Sequence, residues 1–294
     1  MGPWDPRGIL GAIEAKPDGL LGGNTKDGQD REPSTCWPAH TGWFELPGCS
    51  RMLIGIIADL HANLEATLAV FERLDEIGPD TVVCLGDLVG YNANPNEVVD
   101  IIRERQIPTV MGNHDAVVCG LEDPLFFNTK ARMVVEYHSE WIRDDNREWL
   151  ATAPEQLPFD GGCLGVHGSP RSRDEYIMDW LDAMRHVEVL RQTNSKLCFF
   201  GHSHRASLFG ERGEHPAGES SNQYSLNSGD HYLINPGSVG QPRDHDPRAA
   251  FGLFDTETRL FEFRRVGYDI ETAARKVVEA GLPVELARRL AKGK

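Results

Sequence analysis

The chain predicts an α/β fold with parallel strand pairing in its first half, on three observations. Short apolar runs recur that read as strands buried on both faces. Segments with apolar residues at helical spacing separate the early runs. The residues closing the runs are Asp, Asn, His and Gly rather than more apolar groups.

The elements follow in order. Met52 to Ala58 is a continuous apolar run and the first strand. Leu64, Leu68, Phe71, Leu74 and Ile77 recur at helical spacing until Gly78-Pro79 stops them. Thr81 to Leu85 is a second strand. Asn94-Pro95-Asn96-Glu97 supplies an N-cap, a Pro in the first turn and a Glu three residues on, opening a helix through Val98, Ile101 and Ile102. Ile107 to Met111 is a third strand. Residues 128–150 read as one long helix, with Val134, Tyr137, Trp141 and Ile142 along its apolar stripe. Later strands are Cys163 to Val166, Leu197 to Phe200, Tyr232 to Ile234, Ala250 to Phe254 and Leu260 to Arg264. The Gly/Ser/Glu/Asn-rich stretch from Gly210 to His231 reads as a mobile loop. From Ile270 the chain forms one or two helices, broken at Gly281-Leu282-Pro283.

Residues 1–51 differ from the rest, with nine Gly, six Pro and no sustained period. Such a segment buries little and is expected to be loosely ordered. Either Met52 is the physiological start and residues 1–51 an extension, or the tail packs through Trp37, Trp43 and Phe44. N-terminal sequencing of native protein separates the two. Residues 52–294 form the single folded domain.

Composition bounds the function. With 30 Lys+Arg against 45 Asp+Glu, the formal net charge is −15. General nucleic-acid binding and a polybasic membrane surface are both excluded, since each needs clustered cations. No long uncharged apolar run marks a membrane span. Cys36, Cys49, Cys84, Cys119, Cys163 and Cys198 are widely spaced without a CxxC pair, and three lie in or beside strands as small hydrophobes. That usage fits a reducing cytoplasm.

The chemistry follows the strands. Asp59-x-His61 comes after the first, Gly86-Asp87 after the second and Gly112-Asn113-His114-Asp115 after the third. His167-Gly168 and Gly201-His202-x-His204 follow two later ones. In open α/β sheets that carboxyl edge is where ligands bind. Each block alone is unremarkable; five together at strand ends are not an accident of surface polarity. Asp, Asn and His without thiolate form a mixed oxygen and nitrogen donor set, suited to Mn, Fe, Zn, Ni or Co.

This ordered set resembles that of the calcineurin-like metallophosphoesterase superfamily, from Met52 to the C-terminus. Asn235-Pro-Gly-Ser-Val-Gly-Gln-Pro-Arg243 further resembles the small bacterial and archaeal phosphodiesterase branch. The resemblance implies an α/β (α+β) fold, a four-layer αββα sandwich with two mixed β-sheets flanked by helices. It implies two divalent transition-metal ions. Asp59, His61, Asp87 and His204 would hold the first; Asp87, Asn113, His167 and His202 the second, with Asp87 bridging. His114 matches the non-ligating catalytic histidine, either a general acid or an orienting group, and Asp115 supports the ligands without binding metal.

Two cations about 3.5–4 Å apart can share a carboxylate and a bridging hydroxide, which makes water a nucleophile without a side-chain base. His114 then protonates the leaving alkoxide. The expected function is hydrolysis of a phosphodiester or nucleotide-type phosphate ester. Alternatives are a phosphomonoesterase, including a phosphoprotein phosphatase, and a non-catalytic scaffold of the same fold. The Asp-Arg-Gly of protein Ser/Thr phosphatases is absent here, since Leu88-Val89-Gly90-Tyr91 follows Gly86-Asp87. Substitute phosphate contacts come from Tyr91, Arg171, Arg173, Arg205 or Arg243, or these arginines make ordinary surface salt bridges. Residues 91–95, 118–128, 170–180 and 211–231 are the loops expected to select substrate. The partner is a small phosphate ester; a homo-oligomer is compatible with the sequence.

Overall fold

A computed structural model describes residues 51–216 and 222–294. The expectations placed on residues 1–50, including Cys36, Cys49 and the tail aromatics, lie outside the described residues, as do 217–221 of the Gly/Ser-rich stretch.

The first half of the described chain runs β1 (Leu53–Ile57), α1 (Leu64–Ile77), β2 (Thr81–Cys84), α2 (Pro95–Glu104), α3 (Asn113–Val118), α4 (Thr129–Trp141) and α5 (Asp144–Leu150). The second half runs β3 (Gln156–Phe159), β4 (Cys163–Val166), α6 (Trp180–Met184), α7 (Val187–Gln192), β5 (Leu197–Phe199), β6 (Ser207–Gly210), β7 (Gly213–Pro216), β8 (Gln223–Ser225), β9 (Tyr232–Asn235), β10 (Ala249–Asp255), β11 (Leu260–Val266), α8 (Ile270–Glu279) and α9 (Val284–Leu290).

Side chains alternate across a strand, and here both faces of each central strand are apolar. Ile54 and Ile56 of β1, Phe254 of β10, Phe261 of β11, Leu197 and Phe199 of β5 and Ile234 of β9 all enter one core between two sheets. The opposite faces of β1 and β10, through Ile57, Phe251 and Leu253, meet Phe71 and Leu74 of α1 and Val98, Val99 and Ile102 of α2. Cys198 of β5, Leu233 of β9 and Phe209 of β6 meet Ala183 of α6 and Val187 and Leu190 of α7. The result is four layers, helix, sheet, sheet, helix. One sheet has the order β2-β1-β10-β11-β8 and the other β3-β4-β5-β9-β6-β7. β1 and β2 pair parallel, as do β4 with β5 and β5 with β9, so parallel pairing extends beyond the first half.

Four local expectations are corrected. Residues 107–111 form no ladder strand. A parallel bridge pairs Thr109 with Cys84, because Pro108 has no N–H to continue a ladder and only its carbonyl is used, by Cys84 N–H at 2.9 Å. The stretch 128–150 is two helices, since Ile142 turns extended (φ −66°, ψ 132°) and ends α4. Asn94 does not cap α2 through its side chain; its amide donates to Glu97 Oε1 at 2.9 Å instead. The stretch from Gly210 to His231 holds β7 and β8, so it is not a loop throughout.

Phe199 lies at the middle of the inter-sheet core, fully buried, with Phe159, Phe254 and Phe261 rings 5.7–5.8 Å away. Phe199→Ala is expected to destabilise the protein by about 3–5 kcal/mol, measured by urea unfolding.

Candidate metal centre

The carboxyl ends of the strands deliver their side chains to one edge of the sandwich. β1 leads to Asp59 and His61, β2 to Asp87, the Thr109 bridge to Asn113 and His114, β4 to His167 and β5 to His202 and His204. All eight residues are buried. Asp59, His61, Asp87 and His204 form one group and Asp87, His167 and His202 another, each with its donor atoms within 4.8 Å of one another.

The hydrogen bonds fix what those atoms present. His61 Nδ1 donates to the Val89 carbonyl at 2.7 Å, His204 Nδ1 to the Gln241 carbonyl at 2.7 Å and His167 Nδ1 to the Leu85 carbonyl at 2.8 Å. A carbonyl only accepts, so in the neutral rings each Nε2 carries a lone pair. These lone pairs face one another and the acidic oxygens. His61 Nε2 is 3.0 Å from His204 Nε2 and 3.4 Å from Asp87 Oδ2. His167 Nε2 is 3.2 Å from both Asp87 Oδ2 and Asn113 Oδ1. Asp59 Oδ2 and His202 Nε2 are buried without a hydrogen-bond partner among the described residues. Buried acceptors facing acceptors are unfavourable unless a cation lies among them. The donor set fits divalent transition metals.

The titration behaviour agrees. Burial pushes His61 and His204 well below the ordinary histidine range and His202 down to about 3, leaving neutral ligands. Burial raises Asp59 to about 7, with Asp87 adding to it. For Asp87, burial opposes ionisation but the surrounding His167, His114 and His61 outweigh it and hold the carboxylate low. Burial likewise opposes charge on His167, yet Asp87 and Asp59 win and push it up to about 9. Without metal, protons neutralise the cluster where cations would.

The backbone carries strain to aim these groups. Asp59, His61, Asp87, His202 and His204 all have left-handed backbone, with φ between 47° and 64°. Each costs roughly 1–2 kcal/mol for a residue with a Cβ. Cross-links hold the turns: Asp59 N–H to the Gly86 carbonyl at 3.0 Å and His61 N–H to the Asp87 carbonyl at 2.9 Å. Asp115 supports the ligands from behind. Its carboxylate accepts the N–H groups of Asp87, Leu88, Val89 and Gly112 at 2.8–3.2 Å.

Residues 52–259 match the family model of the calcineurin-like phosphoesterase superfamily domain. The chain belongs to that superfamily. Its members hydrolyse phosphate esters. An uncharacterized protein of Methanocaldococcus jannaschii is 35% identical over 250 residues, covering 83% of this chain and 99% of that one. The crystal structure of a metallophosphoesterase from Sphaerobacter thermophilus matches with a TM-score of 0.71 at 34% identity, covering 83% of this chain and 100% of that one. A hypothetical protein from Pyrococcus horikoshii shares the fold, with a TM-score of 0.67 at 21% identity over 82% of this chain and 98% of that one.

Around the calcineurin-like centre, the expected phosphate contacts divide. Tyr91 is buried, its ring 4.6 Å from both His61 and His114. Arg243 reaches the same place, its guanidinium 5.3 Å from the Tyr91 ring centroid. Arg171 is exposed and donates to the Arg185 carbonyl, Arg173 pairs with Glu122 and Glu155, and Arg205 is exposed. Three contributors carried no signal in sequence. Tyr176 stacks on His202 at 3.8 Å from within the 170–180 loop. His138 of α4 accepts the Gly90 N–H through Nδ1 and donates from Nε2 to the Asn92 carbonyl, fixing the loop that carries Tyr91. Phe127 lies 4.7 Å from the His114 ring. Each is an ordinary aromatic residue until the fold places it.

Three outcomes follow. Metal uptake must displace the protons on His167 and Asp59, so apparent metal affinity should rise with pH up to about 9, measured by competition with a chromophoric chelator. Chelation should correspondingly lower Tm, and readdition restore it. A Cβ at Gly90 (φ +95°) would lie 2.2 Å from His114 Nδ1. Gly90→Ala should therefore displace His114 and lower kcat while metal content by atomic emission stays at the wild-type level.

Proposed function

We propose that the protein is a dimetal phosphoesterase acting on a phosphodiester or nucleotide-type phosphate ester. One observation carries it: two groups of converging lone-pair donors that share Asp87, with the unligated imidazole of His114 beside them. Asp59, His61, Asp87 and His204 would hold one divalent ion and Asp87, Asn113, His167 and His202 the other. When bound, such a pair supplies Lewis-acid charge for the phosphoryl oxygens and makes water nucleophilic at neutral pH.

The chain's own groups do the rest. Asp87 holds its place through its N–H bond to Asp115 and through Oδ1, which accepts the His114 N–H at 2.9 Å. That second bond sets the catalytic histidine relative to the bridging carboxylate. Burial keeps the His114 pKa down at about 4 in the free protein. An anionic ester beside it raises its proton affinity, so it is charged as substrate binds and delivers the proton to the leaving oxygen. Leu88 and Val89, fully buried after Asp87, leave no place there for a guanidinium clamp. Arg243, over the Tyr91 ring, instead supplies positive charge at the edge of the site. The site lacks the arginine that protein phosphatases use, which favours diesters and nucleotide-type esters.

Metal titration with bis-p-nitrophenyl and mono-p-nitrophenyl phosphate tests this. Turnover of the diester with Mn, Fe, Co, Ni or Zn is expected. Absence of turnover with every metal refutes the enzyme and leaves a scaffold; turnover of the monoester alone makes it a phosphomonoesterase. Asp87→Asn should abolish activity. His114→Ala should lower kcat by about 10²–10⁴-fold with metal occupancy retained, and loss of metal in that variant would overturn the role of His114.

A further inference from the structure

Beside the metal ligands, two buried donors lack an acceptor among the described residues: Arg243 Nε and Gln241 Nε2. Both belong to the turn that follows β9 and supports His204. Gln241 accepts the His204 Nδ1 proton through its carbonyl, and Arg243 N–H donates to the His204 carbonyl at 3.0 Å. The turn is thus fixed to a ligand by its backbone, while its side-chain donors are left over. Arg243 Nη2 donates to Gln241 Oε1 at 3.0 Å, which holds the two side chains together. A buried donor left without an acceptor is unfavourable, so two in one place call for an anion.

The charge pattern points the same way. Nearby arginines are neutralised: Arg248 by Asp246, Arg264 by Glu262 and Arg265 by Asp244. Among the described residues Arg243 makes no ion pair; its partners are Gln241 and the Tyr91 face. Arg289 of α9 is half-buried and donates to a Lys294 oxygen, so its guanidinium is partnered too. That leaves Arg243 as the unpaired charge beside Tyr91, at the edge of a site built for phosphate esters.

We infer that Gln241 and Arg243 form a second anion subsite, which takes a phosphoryl group of the substrate other than the one hydrolysed at the metal centre. The inference rests on the phosphoesterase reading above and narrows it to esters with a second phosphoryl group, of the nucleoside diphosphate or dinucleoside polyphosphate kind. Guanidinium groups suit that task because they bind phosphate oxygens in pairs.

Calorimetry on metal-loaded protein tests it with two probes, AMP and adenosine 5′-(α,β-methylene)diphosphate. The diphosphate should bind at least about tenfold tighter, as an added charge-assisted contact requires. Arg243→Gln should remove most of that preference, and Arg243→Lys should keep part of it. Arg288→Gln, exposed on α9, controls for charge alone and should keep the preference. Equal affinities in the wild type overturn the subsite. So does equal weakening of both probes by Arg243→Gln, which would place Arg243 on the reacting phosphate. If no ester is hydrolysed but the preference persists, the subsite stands and the hydrolase reading fails. If simple diesters are hydrolysed and no preference is seen, the hydrolase reading stands and the subsite fails.

Discussion

Everything at this edge of the sandwich depends on one electrostatic conflict: carboxylate oxygens and imidazole lone pairs buried face to face. His61 and His204 bring their Nε2 atoms to 3.0 Å, and the Asp87 oxygen reaches toward His61 and His167 at once. Neither packing nor hydrogen bonding resolves such a contact; only positive charge does. Carbonyls at Val89, Gln241 and Leu85 take the Nδ1 protons, so the conflict is built in by the backbone rather than by side-chain chance. The strained turns, the four N–H groups on Asp115 and the burial of the site are all means of holding repelling groups at binding distance.

Much of this was legible in the sequence. A strand buried on both faces must be apolar throughout, so its end is marked by the first polar group, and here that group is a donor. The blocks from Asp59 to His204 were visible for that reason, as were the main strands and the break at Gly281 to Pro283. The elements that sequence missed have physical reasons. β3 and β7 are edge strands with little apolar alternation, and Pro158 and Pro216 sit within them. α3 begins at Asn113 itself, within a block of polar donors, so its chemistry masked its conformation. The helix at 128–150 kept its apolar stripe across the break because Ile142 stays buried while its backbone turns extended.

Supporting residues were the least legible. Tyr176 and His138 act through tertiary placement, and a single tyrosine or histidine outside a motif carries no pattern. Gln241 and Arg243 stood out by their motif. Arg171 and Arg205 looked equally eligible, yet one is tied to the Arg185 carbonyl and the other is exposed. Charge type is written in the sequence; its neighbours are not.

The four-layer architecture gives the ligand set one more property. Asp59, His61, Asp87 and Asn113 extend from the sheet that contains β1 and β2, whereas His167, His202 and His204 extend from the one that contains β4 and β5. Each half of the site draws on both sheets, so a cation bound there is also a rivet through the sandwich. The order of synthesis then matters. A nascent chain that has emerged only as far as Asn113 offers the donors of one sheet, and neither set is complete until His202 and His204 have emerged and β5 has docked. A loaded centre therefore requires that the two sheets have come together.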